Sequence, residues 1–213
     1  MAFIFPKLYP ILDSAILPPT GRAAYLTGLG VSLIDAGVTL LEYRNKTGSD
    51  AEILADCSAL RAAMPGGQVR LILDDRADLV AITGFDGVHV DAGDFTPAEA
   101  RVLIGKDRIL GTFGGSDALL PGILAAPADY LAVGPVFTTT TKHTTEPPIG
   151  VEGVRKLRAE AGSGVILSAA AGITLETAPA VLAAGASMVA VSAAIFRAAS
   201  PAAEVHRWLS RLS

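Results

Sequence analysis

The sequence predicts an α/β protein built as a closed (β/α)8 barrel, a single domain over residues 1–213, and three observations carry that prediction. Eight short runs rich in Val, Ile and Leu recur along the chain. They lack the polar alternation of a sheet with one wet face, so they read as strands covered on both sides, the condition of a parallel sheet. The intervals between them are mostly long enough for crossover helices, and no long linker or composition break interrupts the series. Eight such units match a TIM barrel better than an open doubly wound sheet, which commonly has about five or six strands.

Tyr9–Leu12 is the first expected strand, and Thr20–Ala36 the first helix, closed by Gly37. Val38–Tyr43 and Asp50–Met64 form the second pair, and Val69–Leu73 the third strand. Asp75–Thr83 leaves room for a helix of only about two turns before strand four at Gly87–Val90. Thr96-Pro97-Ala98-Glu99 reads as a capping box with Pro at the first helical position, opening a helix that runs to Ile104 and stops at Gly105. Ile109–Thr112 and Tyr130–Val133 are strands five and six. Helix Val151–Ala161 ends at Gly162, strand Val165–Ser168 follows, and helix Leu175–Ala184 ends at Gly185 before the last strand, Met188–Val191. Val205, Trp208, Leu209 and Leu212 make one apolar stripe on a terminal helix, spaced for core packing.

Composition narrows the partners. With 51% apolar and 18% charged residues the chain is oily enough for a large core, which excludes a disordered or collagen-like protein. Seventeen Lys and Arg against 21 Asp and Glu give a formal charge of −4, without the basic excess that holds a nucleic-acid backbone. The lone Cys57 has no disulfide partner and sits in helix-like sequence, where a small buried residue is expected rather than a nucleophile. The apolar run 2–5 is too short for a secretory leader and no run reaches 18 apolar residues, so a soluble cytoplasmic protein with no membrane partner is expected.

A barrel places its chemistry at the C-terminal ends of strands and in the loops after them. After strand two come Glu42, Arg44 and Lys46, and after strand six comes Lys142; the chain has five lysines in all. Arg offers a planar fork for phosphate oxygens and Lys a point charge, a set suited to a polyanion such as pyrophosphate; taken singly, these are also ordinary loop charges. Asp74-Asp75 end strand three, and Asp91 and Asp94 follow strand four. One or two carboxylates together with substrate phosphates is the usual way to hold Mg2+, while helix capping accounts for one such residue but not for an acidic cluster beside a basic one. Gly134-Pro135-Val136-Phe137 leads into the hydroxyl-rich Thr138–Lys142 segment, which reads as an anion-closing loop or as a plain mobile one. Gly172 and Ser192 stand where barrels often bind phosphate through backbone N–H groups. His89, inside strand four, fits a hydrogen-bonded core group more readily than a general base. There is no zinc spacing, Ser/His/Asp elbow or dinucleotide fingerprint.

Taken together these segments resemble the family of thiamine phosphate synthases and thiazole tautomerases, over nearly the whole chain. Leu41–Lys46 resembles the family's Q-[FL]-R-x-K, Asp74-Asp75 its N-D pair, Asp86–Asp94 its D-G-[VI]-H-[LI]-G-Q-x-D, and Ala171–Thr174 its G-G-I-[TS] turn. Gly134–Lys142 resembles G-P-[VI]-[FY]-x-T-x-T-K, the most specific match. The resemblance implies a Mg2+-assisted dissociative alkyl transfer that joins a hydroxymethylpyrimidine diphosphate to a thiazole phosphate and releases pyrophosphate. It implies that Arg44, Lys46 and Lys142 hold the diphosphate and that Asp75 and Asp94 position Mg2+. Thr139 and the Gly172 turn would take the thiazole phosphate, with Glu42, Asp74, His89, Thr112, Thr141 and Ser192 as further substrate contacts.

The chain also departs from that pattern. Asp74 stands for Asn, Glu42 for Gln and Asp91-Ala92 for Gly-Gln; Phe113 takes the place of a pyrophosphate-contacting Ser, for which Thr112 or Ser116 is the nearest substitute; and one extra residue separates Ser192 from Ile195. The alternatives are therefore a phosphate-ligand binding or regulatory homologue without turnover, or a tautomerase, whose characteristic His after strand five is here Gly115. Small molecules are the expected partners, and assembly into a homo-oligomer is left open.

Overall fold

A computed structural model describes residues 3–91, 93–139 and 146–213. Its eight strands are β1 (Leu8–Asp13), β2 (Leu40–Arg44), β3 (Arg70–Asp74), β4 (Gly87–Val90), β5 (Ile109–Gly115), β6 (Tyr130–Val133), β7 (Leu167–Ala170) and β8 (Met188–Val191). They pair in sequence order and in parallel, and β8 returns to β1 through Leu8 opposite Val189, closing the barrel. The helices are α1 (Arg22–Asp35), α2 (Asp50–Ala63), α3 (Val80–Thr83), α4 (Pro97–Ile104), α5 (Gly150–Ala161), α6 (Ala178–Ala183), α7 (Ala193–Phe196) and α8 (Pro201–Leu212). The expected (β/α)8 architecture is what the chain forms.

Local chemistry accounts for several boundaries. Thr96 Oγ1 accepts from the Glu99 N–H at 3.3 Å while Glu99 Oε2 accepts from the Thr96 N–H at 2.9 Å, the reciprocal box expected at the start of α4. Ser49 and Glu52 do the same for α2. The β5–β6 connection, which carries no helix-spaced run between Pro121 and Pro127, makes only a 3-10 turn at Ile123–Ala125. Strand seven sits two residues later than expected, at Leu167–Ala170 instead of Val165–Ser168, because pairing with β6 sets Leu167 opposite Leu131 and draws Ala169 and Ala170 into the sheet. The short α7 was not expected from the sequence.

Two apolar layers hold the barrel. Outward-facing strand residues such as Leu41, Leu73, Val88 and Leu110 pack against the helices, with Trp208, Val205 and Leu212 of α8 buried among them. Inside the barrel, Leu40, Ile72, Ile109 and Met188 pack with Tyr9 and Tyr130, and Phe3 and Phe5 pack partly buried against this group. The interior is therefore filled at its base, and space remains at the C-terminal mouth. Cys57 is fully buried, and burial pushes its thiol far above the ordinary range, so it is an inert packing residue. Among the described residues no helix is long and apolar enough to cross a membrane.

Candidate active site

Residues two apart on a strand share a face, and the inward positions of the strands converge on a cavity of about 460 Å3 at the barrel mouth. Tyr9 and Ile11 come from β1, Glu42 and Arg44 from β2, Asp74 from β3, His89 from β4, Phe113 from β5, Tyr130 and Ala132 from β6, Ser168 and Ala170 from β7, and Ala190 from β8. Lys46, Asp91, Asp94 and Thr139 enter from the loops that follow β2, β4 and β6.

On the side of β1 to β4 the wall is charged. Arg44 pairs with Asp13 and brings its Nε within 3.6 Å of Asp74 Oδ2. Lys46 Nζ lies 3.2 Å from the same Asp74 oxygen and also pairs with Asp75. Asp75 adopts a left-handed backbone (φ 64°), one that Asp tolerates better than most residues, and its N–H donates to the His89 carbonyl at 2.7 Å. The Asp94 carboxyl lies within hydrogen-bonding reach of Asp75, whose Oδ1 is buried and has no donor to accept from among the described residues. Two carboxylates side by side cannot satisfy each other without a proton or a cation. Burial and then Asp94 accordingly raise the pKa of Asp75, while burial and Asp75 push Asp74 up to about 6. Burial works against the Lys46 ammonium, but Asp74 and Asp75 outweigh it and hold its pKa above the ordinary value.

Deeper in the cavity lies a hydrogen-bonded chain. Tyr9 Oη donates to Glu42 Oε2 at 2.6 Å and meets Tyr130 Oη at 2.9 Å. Tyr130 Oη in turn lies 3.0 Å from His89 Nδ1, with the two rings stacked, and His89 Nε2 stands 3.5 Å from Asp91 Oδ1. Burial first, then the charge of Asp74, pushes Glu42 up to about 7. Burial opposes protonation of His89, yet the carboxylates of Asp91 and Glu42 raise its pKa. His89 is thus a hydrogen-bonded interior residue and also lines the cavity.

Of the residues singled out from the sequence, Glu42, Arg44, Lys46, Asp74, His89, Asp94 and Thr139 line this cavity, and Asp75 joins it through Lys46 and Asp94. Three fall elsewhere. Thr112 faces the helix layer, where its Oγ1 donates to the Val90 carbonyl at 3.1 Å, because strand alternation turns its neighbour Phe113 inward; it does not replace a cavity hydroxyl. Gly172 is outside the lining. It packs closely: with φ at 67°, a Cβ there would stand 2.5 Å from the Thr138 carbonyl oxygen. Ser192 is half-buried at the start of α7, also outside the lining. Thr141 and Lys142 lie outside the described residues. Among the described residues no group of three or more Asp, Glu, His or Cys is arranged to enclose a metal ion, so the donor set on offer is the Asp75–Asp94 pair.

Sequence reasoning missed Tyr9, Tyr130 and Ser168 as cavity residues. The available signal was strand parity: Tyr9 shares a face with Asp13, and Tyr130 with Ala132 and the Gly134 turn.

A family model described as thiamine monophosphate synthase matches residues 8–195. The chain is 40% identical over 188 residues to a thiamine-phosphate synthase of Koribacter versatilis, covering 88% of each protein. It is 39% identical over 193 residues to the thiamine-phosphate synthase of Agrobacterium fabrum, covering 89% of this chain and 84% of that one. Among solved structures, thiamine phosphate pyrophosphorylase from Pyrococcus furiosus superposes with a TM-score of 0.78 at 23% identity, covering 97% of this chain and 95% of the other, which is a likeness of fold.

Proposed function

This chain belongs to the thiamine monophosphate synthase family, and from that premise we propose that it joins a hydroxymethylpyrimidine diphosphate to a thiazole phosphate, yielding thiamine phosphate and pyrophosphate. The observation that supports this reading in the structure is the interleaving of Arg44 and Lys46 with Asp13, Asp74 and Asp75 on the rim of the cavity. An isolated phosphate site needs cations alone. A site for a diphosphate together with a hard cation needs both signs within one ligand's reach.

Mg2+ fits the acidic side of that rim. The buried Asp75 Oδ1 lacks a donor among the described residues, Asp94 lies beside it, and both offer the hard oxygen ligands that Mg2+ selects. Asp75 and Asp94 would hold the ion, directly or through its waters, and when bound it supplies positive charge against the leaving pyrophosphate. The chain's own residues do the rest. Arg44, Lys46 and Lys142 take diphosphate oxygens, Arg44 and Lys46 exchanging their carboxylate partners for phosphate. The C–O bond to the diphosphate breaks with its electron pair going to pyrophosphate, and the thiazole nitrogen lone pair forms the new C–N bond. No protein nucleophile and no proton transfer is required. Fixed cations lower the barrier because charge builds on the leaving group, and the enclosing wall contributes alignment and exclusion of water. Thr139 lines the mouth beside β6, and in this reading it receives the phosphate of the thiazole. The buried, unpaired Cys57 is in keeping with a cytoplasmic location.

The test is to mix the protein with both substrates and Mg2+ and to follow thiamine phosphate and pyrophosphate together. Equimolar formation of both is expected. Binding of either substrate without turnover would replace this reading by that of a phosphate-ligand binding protein, for which Phe113 on the cavity wall is the favouring observation. Isomerisation of the thiazole carboxylate phosphate with no diphosphate present would indicate a tautomerase.

A further inference from the structure

The two sides of the cavity differ in kind. Opposite the charged wall, β6, β7 and β8 contribute Ala132, Ala170 and Ala190, three small apolar side chains. Ser168 stands among them on β7, 1% exposed, and its Oγ has no hydrogen-bond partner among the described residues. An unpaired buried hydroxyl destabilises a fold, and removing it is usually neutral or favourable. The wall accepts Ala at the three neighbouring positions, so packing gives no reason for a Ser here.

We infer that Ser168 is a specificity-determining residue whose hydroxyl donates to a ring nitrogen of the pyrimidine while that ring lies against the alanine face. The inference rests on the function proposed above. The chemistry of the two substrates selects the pyrimidine. The thiazole has one nitrogen, whose lone pair must stay free to attack, and a sulfur that accepts hydrogen bonds weakly. The pyrimidine has two ring nitrogens that form no bond in the reaction, so one of them can be held throughout. A site built to bond such a nitrogen discriminates against a ring that lacks it, because the buried hydroxyl is then left unpaired.

The experiment is a calorimetric titration of wild type and Ser168→Ala, with Mg2+ and without thiazole phosphate. The ligands are hydroxymethylpyrimidine diphosphate, the two pyridine analogues that each lack one ring nitrogen, and inorganic pyrophosphate. The wild type is expected to bind the pyrimidine compound about five- to tenfold more tightly than the variant, the worth of one neutral hydrogen bond. One of the two pyridine analogues should bind both proteins equally, pyrophosphate should bind both equally, and the variant should melt no lower than the wild type. Equal affinity of the two proteins for the pyrimidine compound would overturn the inference. So would an equal loss across all four ligands, which would make Ser168 a structural residue. If the wild type neither binds the pyrimidine compound nor makes thiamine phosphate, the proposed function itself fails and the inference falls with it. If wild type and variant make thiamine phosphate with the same kcat/KM, only the role of Ser168 falls.

Discussion

Replacing Glu42 by Gln should change how stability responds to pH, in a direction and by an amount that the structure sets. Glu42 is 3% exposed and accepts a hydrogen bond from Tyr9 at 2.6 Å. The neighbouring Arg44 is engaged with Asp13 and Asp74 instead. Burial, reinforced by the Asp74 charge and only partly relieved by His89 and the Tyr9 hydroxyl, moves its carboxyl from 4.5 to about 7. Below the unfolded value both states carry the proton and no penalty exists. As pH rises toward 7 the unfolded chain releases the proton while the folded one keeps it, so stability falls, and the loss levels off once the folded carboxyl ionises as well. The interval between the two values corresponds to about 3 kcal/mol. Gln keeps the shape and the oxygen that accepts from Tyr9 but has no charge to bury. In urea denaturation of the substrate-free, metal-free protein, Glu42→Gln and wild type should differ little at pH 4.5 and diverge by about 3 kcal/mol in favour of the variant by pH 8. Stability curves that run parallel from pH 4.5 to 8 would refute the reasoning, since they would mean that the carboxylate is solvated or neutralised by a partner.

Three further perturbations test the rim and its supports. Lys142→Ala should lower kcat/KM for the diphosphate substrate by about tenfold or more, the worth of a charge-assisted phosphate contact, with an unchanged urea midpoint; unchanged kinetics would remove Lys142 from the site. Asp94→Ala should raise the Mg2+ concentration needed for half-maximal pyrophosphate release or abolish release, and should shift the melting temperature produced by Mg2+ alone, so an unaltered Mg2+ titration would place the metal elsewhere. Gly172→Ala sets a Cβ 2.5 Å from the Thr138 carbonyl oxygen on a backbone with φ at 67°, and should cost more than about 1 kcal/mol of stability. A denaturation midpoint equal to the wild type would show that the β6 and β7 loops do not meet so closely.

The parts of the site that are legible in the sequence are those written in neighbouring residues. Arg44 and Lys46 follow a strand-like run directly, and Asp74-Asp75 end another, so their place at the mouth needs only the rule that barrels act at the C-terminal ends of their strands. Thr112 shows the limit of that reasoning. In sequence a hydroxyl next to Phe113 is an available substitute for a missing serine, yet alternation along β5 turns one inward and the other toward the helices. Parity is fixed by the register of pairing with β4 and β6, where Thr112 meets Val90 and Leu131. Strand seven is a second case, since Ala169 and Ala170 carry weak strand character and are extended because β6 and β8 pair with them.

By itself the sequence determined the alternation of strands and helices, the capping box at Thr96, the family and the gathering of both charge signs at the strand ends, because periodicity, caps and motifs act over a few adjacent residues. Only the tertiary structure decided which side chains share the interior. Tyr9 and Tyr130, 121 residues apart, meet at 2.9 Å because β8 closes on β1. That closure buries Glu42 beside Asp74, leaves Ser168 without a partner among the described residues on an alanine wall, and so sets the proton affinities and open hydrogen bonds of the cavity. These depend on distance and dielectric across the barrel, quantities that no local pattern of residues contains.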